Sequence, residues 1–95
     1  MATISNKAAG LAAVGAVFAK RRADLVDFPK SRKGFIEEVA NLGILEPGWI
    51  SEKALANIET GKNLPSIETL CMLARALQVD QTELFDEVAS ALGYR

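Results

Sequence analysis

The chain has 95 residues, 49% of them hydrophobic and 24% charged, which gives room for one packed domain and is too apolar for a disordered tail. It contains no histidine and a single cysteine, Cys71, so an internal disulfide, a His/Cys zinc site and the histidine-dependent catalytic arrangements are excluded. The net charge of −1 offers no general attraction to polyanions, but seven cations against two acids give residues 1–33 a charge of +5, and residues 34–95 carry −6.

Apolar residues recur at three and four rather than at two, which predicts five helices, no strand and an all-α fold of one domain over 1–95. The first helix begins after Ser5 or Asn6 and runs through Val14, Val17, Phe18, Arg22 and Leu25. Phe28-Pro29 then stops it, because the residue before proline disfavours helical geometry. The Ala/Gly-rich stretch from Ala8 to Ala19 is short of the ~20 residues a membrane-spanning helix needs. Gly10 and Gly15 there permit either tight helix contact or fraying, so residues 1–12 are packed or form a partly ordered extension.

Ser31 is placed to cap the second helix, whose stripe of Phe35, Ile36, Val39, Ala40 and Leu42 ends at Gly43. A connector follows in which Pro47-Gly48 forces a turn while Ile44, Leu45, Trp49 and Ile50 require cover. Ser51 caps a short third helix with Leu55 and Ile58 inward, and Gly61 terminates it. Ser66 opens the fourth, with a seam of Leu70, Leu73, Ala74 and Leu77 widened by Cys71 and Met72; Cys71 reads as core filler. Asp80, with Glu83 three positions on, resembles a capping box at the start of a fifth helix carrying Leu84, Phe85, Val88 and Leu92.

A helix that reads bases must carry short polar and charged side chains on its first turn while its back packs on a core, and residues 51–60 have that shape. Lysine can donate to guanine, asparagine can pair with adenine and glutamate can accept from cytosine, so Glu52, Lys53 and Asn57 have the chemistry to meet base edges. The stretch from Ser51 to Phe85 closely resembles the helix-turn-helix domains of the Cro/Xre-like repressor family. Leu55, Ile58, Glu59, Gly61, Lys62, Pro65, Ser66, Leu70, Leu73, Ala74, Leu77, Val79, Leu84 and Phe85 stand at family spacing. The likeness is strong over this half and weaker over the first two helices.

The resemblance implies a compact five-helix DNA-binding domain with DNA contacts at Arg32, Lys33, Ser51, Glu52, Lys53, Asn57, Thr60, Lys62 and Asn63. Of these, Thr60, Lys62 and Asn63 resemble the phosphate-contacting loop, and Ser31, Arg32 and Lys33 the phosphate-gripping turn of the second helix. It also implies that Glu59 pairs with an arginine of the first helix instead of touching DNA. Arg22 fits, lying four residues after Phe18 on the core-facing side, whereas Arg21 points elsewhere. The sequence departs from the family between the second and third helices, where the chain from Leu42 to Ser51 is enlarged, and at Ile36, where alanine is favoured. Trp49 is read as filling the gap so created.

The implied function is that of a sequence-specific transcriptional regulator, a homodimeric repressor of phage, mobile-element or bacterial origin bound to a double-stranded DNA operator. It works in the cytoplasm, on the nucleoid when bound to DNA. The fifth helix is the first candidate for the dimer interface and the N-terminal helix the second. An antitoxin or adaptor that mainly binds a protein partner is the alternative. No cofactor, metal or membrane is implied. Glu37 and Glu38 point different ways with no partner group, so no enzymatic role is expected.

Overall fold

The computed structural model describes residues 7–95, so Ser5 and Asn6 lie outside the described residues. The helices are α1 (Lys7–Ala23), α2 (Arg32–Asn41), α3 (Glu52–Glu59), α4 (Ile67–Ala76) and α5 (Gln81–Ala91), and the described residues contain no strand. Each of the last four begins with a side-chain cap that satisfies one of the helix's orphan amides. Ser31 Oγ accepts from Gly34 N at 3.0 Å, Ser51 Oγ from Ala54 N at 3.0 Å and Ser66 Oγ from Thr69 N at 3.1 Å. Asp80 Oδ2 accepts from Glu83 N at 3.1 Å, but the Glu83 carboxylate pairs with Arg21 rather than completing a capping box.

Helix α1 crosses α3 and α5, α2 packs on α3, and α4 packs on α5. One core results. It is built from Val14 and Phe18 of α1, Phe35, Ile36 and Val39 of α2, Ile50 of the connector, Leu55 and Ile58 of α3, and apolar residues of α4 and α5. Residues 7–12 are helical and mostly exposed, with Gly10 against Leu92, the C-cap residue of α5. Among the described residues no helix is long and apolar enough to cross a membrane.

Three expectations change. Helix α1 stops at Ala23, not near Phe28, because Lys30 Nζ turns back and donates to the carbonyls of Ala23 and Leu25 at 2.8 and 3.2 Å. A cation there also suits the negative end of the helix dipole. Leu42 is 56% exposed, because the chain turns away at Gly43, whose φ is +74°, while Ile44 N returns to the Val39 carbonyl. Cys71 is half-buried on the flank of α4, and the methyl of Ala76 takes the place at the centre of the core.

The enlarged connector is packed. Ile44, Leu45 and Trp49 lie against the core and Ile50 is buried. Trp49 stands edge-on to Phe35 with ring centroids 6.1 Å apart, and its Nε1 donates to the Ile36 carbonyl at 3.3 Å. The indole thus occupies the gap between α2 and the connector.

Gly15 explains how α1 approaches the end of α3. A Cβ there would sit 2.6 Å from the Ile58 carbonyl oxygen and on top of that of Glu59, both backbone atoms of a helix end that cannot swing aside. Gly61, at φ +81°, is pressed in the same way on Ala12, with a virtual Cβ 2.9 Å from its Cα. Gly15→Ala is therefore expected to destabilise the domain by about 3 kcal/mol, the upper part of the range for overpacking. Gly10→Ala meets only ordinary contacts and should leave urea unfolding midpoints at or above wild type.

Candidate nucleic-acid interface

Helix α3 presents its buried side through Leu55, Ile58 and Glu59. At about 100° per residue, Lys53, Asn57 and Thr60 fall together on the opposite side, at i, i+4 and i+7. Lys53 and Thr60 are exposed and Asn57 is half-buried. Glu52 is exposed too, but it lies a quarter-turn away from Lys53, in the first turn where a carboxylate suits the helix dipole. Of the three candidate base readers, Lys53 and Asn57 share one outward face.

Hydroxyl groups can be sorted by what they already do. Ser51 Oγ accepts from Ala54 N, which leaves its proton to donate outward. Thr60 Oγ1 donates to the Ala56 carbonyl at 2.7 Å and Thr60 N donates to the same oxygen at 2.9 Å, so Thr60 keeps no donor for a phosphate. Lys62 N and Asn63 N both donate to the Asn57 carbonyl, at 2.8 and 3.2 Å. Their side chains are exposed on a loop folded against the end of α3, and only those side chains remain to meet a ligand.

Arg22, Arg32 and Glu59 form one cluster. The Glu59 side chain is 1% exposed and receives a bidentate fork from Arg22, with Nε on Oε2 at 2.7 Å and Nη2 on Oε1 at 2.8 Å. Arg32 Nε donates to Oε1 at 2.8 Å, and Arg22 Nη1 donates to the Lys30 carbonyl at 2.6 Å. Two guanidinium groups on one carboxylate leave the cluster at +1, with Arg22 inside and Arg32 at the surface. Burial by itself would raise the Glu59 carboxyl, but the hydrogen bonds from Arg22 and then Arg32 outweigh it and hold the group below its ordinary value. Hydrogen bonding to Glu59 in turn raises Arg22.

Lys33, next to Arg32, is exposed. Arg21, on another face of α1, binds Glu87 at 2.7 Å and Glu83 at 2.9 Å, and Arg95 binds Asp86 at 2.9 Å. Glu83, Asp86 and Glu87 of α5 are thus paired with two arginines, which leaves this group one negative charge. The contact of Arg32 with Glu59 carries no local sequence signal, since the two are 27 positions apart and the helical spacing that singles out Arg22 says nothing of α2. Among the described residues no group of three or more His, Cys, Asp or Glu converges as a metal site.

Because Glu59 titrates lower folded than unfolded, its contribution to stability is complete above its ordinary value of 4.5 and is lost as pH falls through the lower folded value. Glu59→Gln leaves Arg22 buried without its counter-charge and should cost about 3–5 kcal/mol at pH 7. Urea titrations of variant and wild type should converge as the pH falls below 4.5 and through the lower folded value. Arg22→Ala should match that loss at pH 7, whereas Arg32→Ala, removing a partly solvated partner, should cost no more than about 1 kcal/mol.

Comparison with known families matches the helix-turn-helix model to residues 48–84, from the turn of the connector through α3 and α4 into α5. No curated protein and no solved structure matches. The matched segment holds the helix whose Lys53 and Asn57 face outward, followed by α4. Residues 48–84 carry a Cro/Xre-like helix-turn-helix domain, the kind of domain with which regulators bind DNA.

Proposed function

We propose that the protein is a sequence-specific repressor, of phage, mobile-element or bacterial origin, that binds a double-stranded operator as a homodimer with α3 in the major groove. The observation that carries this reading is the outward pair of Lys53 and Asn57, one helical turn apart on a helix whose opposite side is locked into the core. Ser51, Arg32, Lys33, Lys62 and Asn63 supply donors for phosphates. Glu52, at the edge of the outward face, is suited to accept from a cytosine amine.

An exposed groove of about 710 Å³ between α1 and the end of α5 supports self-association. It is lined by Leu11, Leu64, Leu92 and Tyr94, with Lys62 and Asn63 among its borders. Tyr94 is 67% exposed and Leu64 49%, an apolar surface that a second subunit would cover. Two half-sites one helical turn, ~34 Å, apart then double the contacts. The same groove is what an antitoxin or adaptor would offer to a protein partner.

Fluorescence anisotropy against duplexes tiled across the region upstream of the gene tests the reading. One tile should bind tightly in the presence of scrambled competitor. On that tile Lys53→Ala and Asn57→Ala should each cost about 1–3 kcal/mol while scrambled DNA is unaffected. Lys62→Ala should weaken all duplexes alike and reduce the salt slope by about one. Sedimentation should give a dimer; a monomer with no preferred tile would favour the partner-binding role.

A further inference from the structure

Helices α2 and α3 are joined at one end by the connector of residues 42–51. In a short turn the backbone itself would fix the angle between the two helices; across a connector of this length, which bends at Gly43 and Gly48, that angle depends on side-chain contacts such as those of Trp49 with Phe35 and the Ile36 carbonyl. At the opposite ends the helices are joined again by a side chain. Arg32 is the first residue of α2 and Glu59 the last of α3, and Arg32 Nε donates to Glu59 Oε1 at 2.8 Å.

The contact is not needed to neutralise Glu59, which already has the bidentate fork of Arg22. Nor does it occupy the whole guanidinium. Arg32 remains 34% exposed, and its Nη1 and Nη2 have no protein partner among the described residues. A planar guanidinium held along its Nε edge keeps its outer donors in a fixed direction, which an ammonium cannot do. Ser31 Oγ, whose proton is free while its oxygen accepts from Gly34 N, stands one residue away.

We propose that Glu59 is a positioning residue for DNA recognition: through Arg32 it clasps the phosphate-facing end of α2 to the base-reading helix, at the end of the pair opposite the packed connector. The inference rests on the DNA-binding reading above. Arg32 would then do two things at once, holding Glu59 with Nε and a backbone phosphate with its Nη groups. The consequence is coupling, in which phosphate contact at α2 and base contact at α3 are made in a single register.

The test uses the full chain and the duplex that the wild type selects most tightly from a random-sequence pool, together with a scrambled version of it. Arg32→Lys keeps the charge but cannot serve both partners. It should weaken the selected duplex about tenfold while changing neither the scrambled duplex nor the salt slope. Arg32→Met should weaken both, the selected one more, and reduce the slope by about one. Melting temperatures should stay close to wild type, since Arg22 continues to hold Glu59. Equal weakening of both duplexes by either variant, or no effect of Arg32→Lys on either, overturns the clasp. A wild type that selects no duplex at all overturns instead the DNA-binding reading on which it rests.

Discussion

A carboxylate excluded from water has to be paired, and in this small domain the whole arrangement of the first three helices follows from how Glu59 meets that requirement. Its carboxylate lies at the end of α3, the Arg22 fork comes from α1 and the Arg32 donor from α2. Each guanidinium is useful only if its helix passes the end of α3 at the right distance. The cluster is a weak source of net stability, since the desolvation of its charges offsets much of their attraction. Its value lies in geometric selectivity: a packing that shifted α1 against α3 would leave Arg22 and Glu59 buried without each other.

Close approach of backbones makes this pairing reachable. The bare Cα of Gly15 lets α1 rest on the carbonyls of Ile58 and Glu59, and Gly61 lets the chain leaving α3 pass beneath Ala12. Arg22, two turns beyond Gly15 on α1, is thereby brought over the carboxylate. The same contact immobilises the back of α3, so the direction in which Lys53 and Asn57 point is set by α1 and the core instead of by the connector. Reading of bases and stability of the fold thus depend on one interface between α1 and α3.

Much of this was legible in the residues. Ser31, Ser51, Ser66 and Asp80 each cap a helix because their side chains act on amides two or three positions away, a range that sequence spacing resolves. Arg22 was legible as the core-facing arginine of α1 by its distance from Phe18. What was hidden depends on competition between alternative partners, whether near in the chain or far. Nothing near Arg32 distinguishes a free cation from one drawn to Glu59, and nothing near Thr60 shows that its hydroxyl is taken by Ala56. The end of α1 was misplaced for the same reason, since the terminating group is the ammonium of Lys30 in the following loop. Leu42 continued the apolar stripe of α2 on paper, but the left-handed turn at Gly43 carried it outside.

The chain has a single tryptophan, and its position gives that residue a use beyond packing. Trp49 belongs to the connector that leads into α3 and stands edge-on against Phe35 of α2, with its N–H on the Ile36 carbonyl. Indole emission responds to the polarity around the ring and to the loss of its N–H partner. The protein therefore contains an intrinsic optical gauge of how the connector packs on α2, readable without a label and with no second fluorophore of its kind to obscure it.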